Sequence, residues 1–287
     1  MSQKISIHQG NNSIYASTAT SQSNNHRIRA KMCNPTSNAQ KKVNQQNSIR
    51  DLWQTIEENF KGSDAFCTLT FDEKELPDDV KLALAELRKE KGKDIKKNAA
   101  ILKKFFDRVF LNYIRRLETQ YAKFEVGVKY IKAYEYKKPG NPHAHIIINI
   151  PKDFDKSTMK DIWKNGFVDI VHLSTYSDLN ERAEYLTKET TKLLGTDYAI
   201  CKARWTCSKN LDRVPKRATK VSLDRKIITA DDFPKSIGKY ELIPNSVETH
   251  FNERTSEFIH IARYRRRKPH YADPPPKMRR RRTKRKS

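Results

Sequence analysis

The 287-residue chain is 36% hydrophobic and 32% charged, which allows one substantial α/β or α+β domain with extensions but leaves long stretches too polar to bury. Its formal net charge of +24 calls for a polyanion, and because no apolar run approaches the roughly 20 residues of a membrane span and no signal-type apolar region opens the chain, nucleic acid is the expected partner and no membrane is. Cys33, Cys67, Cys201 and Cys207 show no C-x-x-C spacing, so neither a zinc module nor a secreted disulfide framework is indicated and a cytoplasmic setting is expected.

Residues 1–46 are rich in Ser, Asn, Gln and Thr, contain no acid and almost no aromatic residue, and are predicted to form a disordered polar arm. An ordered domain is predicted over 47–225. It opens with a helix on which Ile49, Leu52, Trp53, Ile56 and Phe60 recur at helical spacing. The run "AFCTLTF" then reads as a strand that ends before Pro77. Two helices are predicted over about 79–120, separated near "KEKGKDIKK"; Leu102, Phe105, Phe106, Val109, Phe110 and Tyr113 form the apolar face of the second. Strands over 126–136 and 142–150 flank the turn chemistry of "KKPGN". A short helix at "STMKDIW", a turn at Asn165-Gly166, a strand at "FVDIVHL" and a helix over about 178–194 follow, the last opened by Asp178 and Glu181 as a capping box. Hairpin-connected strands favour an α+β fold, an antiparallel sheet with helices packed on it. A C-terminal extension over 226–263 and a basic disordered tail over 264–287 complete the division. The tail holds twelve Lys or Arg against one acid, Asp273, and reads as an anchor for phosphates through Arg265, Arg266, Arg267, Arg279, Arg280, Arg281 and Arg282, or as a nuclear import signal.

Within "KAYEYKKPGNPHAHIIINI", side-chain alternation puts His143 and His145 on one face of a strand and Ala144 on the other. Imidazole is the commonest side-chain metal ligand, and this pair offers two nitrogens to one divalent ion. Glu135 on the preceding strand is the candidate third ligand. A turn centred on Pro139 or Gly140 brings it opposite His143 or His145, whereas a two-residue Pro-Gly loop turns it away. The plainer alternative is two hydrogen-bonded histidines on a half-buried sheet. Downstream, in "NERAEYLTKETTKLL", Leu179, Ala183, Leu186 and Leu193 make a buried stripe, and Tyr185, Lys188 and Lys192 share a flanking face.

The order of these motifs, a strand with Phe66, Thr68 and Thr70, then an acid, H-hydrophobe-H and Y-x-x-K, resembles the HUH endonuclease superfamily, particularly the replication initiators of rolling-circle plasmids and single-stranded DNA phages. The resemblance covers about residues 64–215, including "WKNGFVDIVHL" and "RWTCSKNLDRVP". It implies a ferredoxin-like or RRM-like fold and a metal-dependent single-stranded DNA endonuclease that nicks an origin, leaving a 5′-phosphotyrosyl link and a 3′-OH primer. Mg²⁺ or Mn²⁺ would be held by His143, His145 and Glu135, Tyr185 would be the nucleophile and Lys188 would stabilise charge. Glu189 stands where some phage initiators carry a second tyrosine, so the single-tyrosine form is implied. No G-x-x-x-x-G-K-[ST] is present, so helicase and polymerase would come from the host, and the substrate would be single-stranded or hairpin origin DNA. Lys192, Arg204 and Trp205 are further candidate DNA contacts. A single-tyrosine transposase and a non-catalytic basic nucleic-acid-binding protein are the competing readings. A histidine-triad hydrolase would need a third histidine where Ile147 stands.

Overall fold

The computed structural model describes residues 4–19, 38–89, 92–137, 141–176, 178–222, 230–252 and 257–269. Its first elements are β1 (Lys4–Gln9), β2 (Ser13–Ala19), α1 (Asn38–Asn59), β3 (Ala65–Thr70), α2 (Asp78–Arg88) and α3 (Ile95–Tyr121). Then come β4 (Tyr130–Glu135), β5 (His143–Ile148), α4 (Ser157–Ile162), β6 (Val168–His172), α5 (Leu179–Leu193) and β7 (Thr206–Cys207). The chain continues with β8 (Thr219–Ser222), β9 (Ser236–Ile237), β10 (Tyr240–Leu242), β11 (Glu248–Asn252) and β12 (Glu257–Arg266). The fold is α+β with antiparallel pairing throughout the described ladders. It divides into two compact units, one from Lys61–Thr175 with Lys188–Asn210, the other from the segments within Met1–Phe60, Tyr176–Thr187 and Leu211–Tyr271.

The first unit is a five-stranded sheet in the order β6-β3-β5-β4-β7. Strand alternation sends Ala65, Cys67, Leu69, Tyr134, Ala144, Ile146 and Ile148 to one face, where they join the core formed with α2 and α3. α3 fits this face because Leu102, Phe106, Phe110, Tyr113, Leu117 and Tyr121 recur every three or four residues and are all buried. A polar link lies inside this core. Lys132 donates to Asp107 at 2.8 Å and its ammonium lies 4.3 Å from the centre of the Phe110 ring, while burial pulls the Lys132 pKa down. At the other end of the sheet Asp64 accepts from the backbone amides of Lys61 and Ile150, each at 2.7 Å.

The second unit is a seven-stranded sheet ordered β8-β1-β2-β12-β10-β9, with β11 on β12. This corrects the expected disordered arm over residues 1–46: Lys4–Gln9 and Ser13–Ala19 form a hairpin at the centre of the sheet, and α1 begins at Asn38. The physical reason is an alternation hidden in a polar composition. Ile5, Ile14 and Ala16 are buried with Tyr240, Ala262 and Tyr264. The turn of this hairpin is clamped by Glu58, whose carboxylate accepts from the amides of Asn11, Asn12 and Ser13 and from the Ser13 hydroxyl. The segment expected as a separate extension over 226–263 supplies β9 to β12, and β12 carries the same ladder into the tail as far as Arg266. Residues 20–37 and 270–287, including Arg279, Arg280, Arg281 and Arg282, lie outside the described residues.

Candidate metal centre and nucleophile helix

The register of β4 on β5 pairs Glu135 with His143 and Ala133 with His145. The turn is therefore centred on Pro139, the odd-loop case in which Glu135 shares a face with both histidines, although Lys138, Pro139 and Gly140 themselves lie outside the described residues. β3 flanks the other side of β5, with Thr68 opposite His145 and Thr70 opposite His143. The polar residues thus occupy the sheet face opposite the α2/α3 core.

The three candidate ligands converge. Glu135 Oε2 lies 3.4 Å from His143 Nε2 and 3.6 Å from His145 Nε2, and the two imidazole Nε2 atoms are 3.1 Å apart. His145 is 5% exposed, and His143 is more open. Second partners fix both rings. His143 Nδ1 faces the Asn141 carbonyl at 3.2 Å; a carbonyl only accepts, so Nδ1 carries the proton and neutral His143 turns a lone pair inward at Nε2. His145 Nδ1 faces the Thr68 hydroxyl at 3.2 Å, and the ring stacks on Phe66 with centroids 5.5 Å apart. In the tautomer in which Thr68 accepts from Nδ1, three acceptor atoms meet with no proton among them. One ligand atom from each of the three residues lies within 4.8 Å of the others. A divalent cation resolves that electrostatic conflict, and a set of two imidazoles and one carboxylate suits such an ion. The Asn141 carbonyl, a backbone group, is the orienting partner that residue types could not reveal.

α5 carries the other candidates. Its stripe of Leu179, Ala183 and Leu186 is buried, while Tyr185 is 45% exposed and Lys188 and Lys192 are exposed. Asp178 opens the helix by accepting from the Asn180 amide at 2.9 Å; its other oxygen accepts from Arg263 at 2.7 Å. Arg182, one turn before Tyr185, was not singled out in the sequence. Its guanidinium carbon lies 5.3 Å from the centre of the Tyr185 ring and 4.4 Å from that of Tyr176. The i, i+3 spacing of Arg182 and Tyr185 is the signal that could have marked it.

The remaining basic candidates are partly committed to the protein itself. Lys192 pairs with Glu189 at 3.1 Å. Arg204 donates through Nε to the Thr191 hydroxyl at 3.1 Å, its carbonyl accepts from Thr190, and burial lowers its pKa. Trp205 is partly buried. Arg265 grips Glu57 with both Nε and a terminal nitrogen. Because Glu57 is almost fully buried, Arg265 acts as a structural cation of its sheet rather than as part of a solvated tail. Arg267 pairs with Glu241 at 2.6 Å, and Arg266 is half-buried on β12.

No described helix is long and apolar enough to cross a membrane. No curated protein and no solved structure matches the chain. A family model does match, that of the replication-associated protein ORF2 or gene 2 protein, over residues 64–194. The matched span begins one residue before β3 and ends one residue after α5, so it contains Glu135, His143, His145, Tyr185 and Lys188. Through residues 64–194 the chain belongs with the replication initiators.

Proposed function

We propose that the chain is a single-tyrosine initiator of the HUH type that nicks single-stranded or hairpin origin DNA and later rejoins it. The observation that carries this reading is the acceptor-only cluster of Glu135, His143 and His145, each histidine held by its own partner, within the span that matches the replication-associated family. A buried sheet face with incidental histidines would pair them with donors. A cation bound there would act as a Lewis acid toward a scissile phosphate.

In this reading the cluster fixes where the phosphate docks, and Tyr185 supplies the nucleophile. The phenolic oxygen forms a bond to phosphorus as the bond from phosphorus to the 3′ oxygen breaks. The departing oxygen takes a proton and becomes a 3′-OH able to prime a polymerase, while the 5′ phosphate stays on the tyrosine. Strand rejoining is the same exchange run in reverse. An ordinary tyrosine with a pKa of about 10 is a weak nucleophile at neutral pH. Lys188, one turn along the helix, stabilises the phenolate and the charge gathering on phosphorus, and Arg182 adds positive charge beside the ring. The fuel for rejoining is conserved in the phosphotyrosyl link. Unwinding and synthesis then fall to a helicase and a polymerase of the host, in its cytoplasm.

The test is to incubate the full chain with Mn²⁺ or Mg²⁺ and single-stranded DNA from its own replicon, then look for a protein-linked product. Proteolysis of that product should yield a peptide containing Tyr185 joined to a 5′ phosphate. A link through another residue would displace Tyr185, and binding without any cleavage under either metal would favour the non-catalytic reading.

A further inference from the structure

The metal-site face of the five-stranded sheet carries an aromatic ring that the proposed chemistry does not use. Phe167 is 77% exposed, although it immediately precedes β6 in the middle of a sheet-forming segment. Its backbone is tightly specified. The Phe167 carbonyl accepts from the Thr70 amide at 2.9 Å and the Asn165 carbonyl from the Asp72 amide at 2.6 Å. Between them Gly166 has φ +144°, and a Cβ there would come within 2.3 Å of the Thr70 carbonyl oxygen, so only glycine lets the two backbones approach this closely. Trp163, packed on Phe71 and Tyr113, donates its indole N–H to the same Thr70 carbonyl at 2.9 Å. An exposed phenylalanine is thereby held on a rigid support.

Its position in the ladder gives the exposure a meaning. Phe167 lies opposite Thr70, Thr70 opposite His143, and His143 opposite Glu135. These four residues form one row across a single face of the sheet. The neighbouring row is Asp169, Thr68, His145 and Ala133. Two strand spacings of about 4.8 Å put Phe167 about 10 Å from His143, within reach of a nucleotide next to a phosphate held at the cluster. Val168, by contrast, turns to the opposite face and packs on the core. Scattered exposed apolar residues need no explanation, but a rigid one in register with a candidate phosphate site does. Asp169 is exposed beside it on the same face, and its carboxylate disfavours a phosphate there. A nucleobase, which offers a π-face and no charge, suits this end of the row.

We propose that Phe167 is a stacking platform for a nucleobase of the single strand whose neighbouring phosphate docks at Glu135, His143 and His145. The platform rests on the DNA reading of that cluster and adds a base-binding subsite to it. Each base stacked on an aromatic side chain contributes enough that its removal changes affinity several-fold.

The test uses the full chain and a labelled oligothymidylate of about 16 nucleotides, a length within the range that single-strand sites occupy. Titrations in EDTA keep the strand intact. Phe167→Ala should weaken binding about 5-fold or more, and Phe167→Leu, which keeps apolar area but has no ring, should weaken it similarly. Phe167→Trp should restore binding and show quenching of the new indole by the DNA. An abasic strand of the same length should bind wild type and Phe167→Ala equally. Circular dichroism and melting of Phe167→Ala should match wild type, since the ring lies in water. Wild-type affinity in Phe167→Ala or in Phe167→Leu would overturn the proposal, as would a wild-type protein that ignores the oligothymidylate. The two readings separate cleanly: an affinity loss in Phe167→Ala with no covalent adduct in wild type would remove the nuclease and leave the platform. An adduct in wild type with unchanged Phe167→Ala affinity would do the reverse.

Discussion

The two units handle polar groups on their sheets in opposite ways. In the seven-stranded sheet every prominent buried charge has its complement close by. Arg263, only 4% exposed at its side chain, is held by Asp178 and Glu248, each at 2.7 Å. Arg265 neutralises Glu57, and Glu58 is satisfied by three backbone amides and a hydroxyl. In the five-stranded sheet, Glu135, His143 and His145 bring acceptors together and leave the positive charge to come from outside. Burial of polar atoms is tolerated where donors and acceptors balance. The sheet whose balance does not close from its own side chains is the one with a candidate chemical task.

The largest effect expected from breaking this contrast is on cleavage. His145→Ala should reduce nicking by at least about 1000-fold, since the cluster positions the phosphate and completes its electrostatics. In wild type, Mn²⁺ at 100 times its dissociation constant should stabilise the fold by about 2.7 kcal/mol, measurable as a rise in melting temperature. That rise should vanish in His145→Ala, whereas the metal-free variant should melt close to wild type. Mn²⁺ should also work at lower concentration than Mg²⁺, because two of the three ligands are imidazoles. Cleavage that persists undiminished in chelator would show that the cluster is structural. Tyr185→Phe should remove the covalent adduct to a similar extent while keeping the metal-dependent rise in melting temperature, because the ring's packing is unchanged and only the hydroxyl is lost.

A smaller effect is expected in the other sheet. Arg263→Met leaves Asp178 and Glu248 partly buried without their cation and should cost about 3–5 kcal/mol in urea denaturation. Adding Asp178→Asn and Glu248→Gln to that variant should recover part of the loss, because the penalty comes from stranded charge rather than from a missing contact. If Arg263→Met were neutral, the sheet would not depend on internal compensation and the contrast between the units would weaken.

The two units also differ in how much of them could be read from residue order. The α3 core stripe and the H-x-H pair are local signals, with partners one turn or two residues away, and the structure contains them where the pattern puts them. The position of Glu135 was only conditionally legible: the loop "KKPGN" permits either parity, and the β4/β5 ladder settles it through pairs that extend to Tyr130 and Ile148. The hairpin of β1 and β2 was missed because its partners β8 and β12 are some two hundred residues away, and averaging over a Ser- and Asn-rich arm hides the alternation of Ile5, Ile7, Ile14 and Ala16. Arg265 was misread for the same reason. Its neighbours in sequence are basic, but its partner Glu57 lies on α1.

Asp64 provides the smallest and most discriminating test, because it shows a common mark of a catalytic acid without the unmet demand. Burial pushes its pKa up from 3.8 to about 6, against hydrogen bonds from Ile150 and Lys61 that pull it down. A perturbed carboxyl in a nuclease-like unit invites a catalytic assignment. Yet each of its oxygens already accepts a backbone amide, from Lys61 and Ile150, so its hydrogen bonding closes within the fold as that of Glu58 does. The sign of its linkage follows from the raised value. Between pH 4 and 6 the folded state holds the proton that the unfolded state has released, so stability is greatest at the acid end and declines as pH rises through about 6. Asp64→Asn removes that titration. Its stability should be flatter than wild type across the window; at pH 8, where the variant trades a charged acceptor for an amide that serves only one of the two backbone donors well, the two proteins should agree within about 1 kcal/mol. Cleavage per folded molecule should be unchanged. A variant that melts like wild type at every pH would mean that Asp64 is not the source of the slope, and a variant that folds but no longer nicks would move it from the frame of the sheet into the reaction.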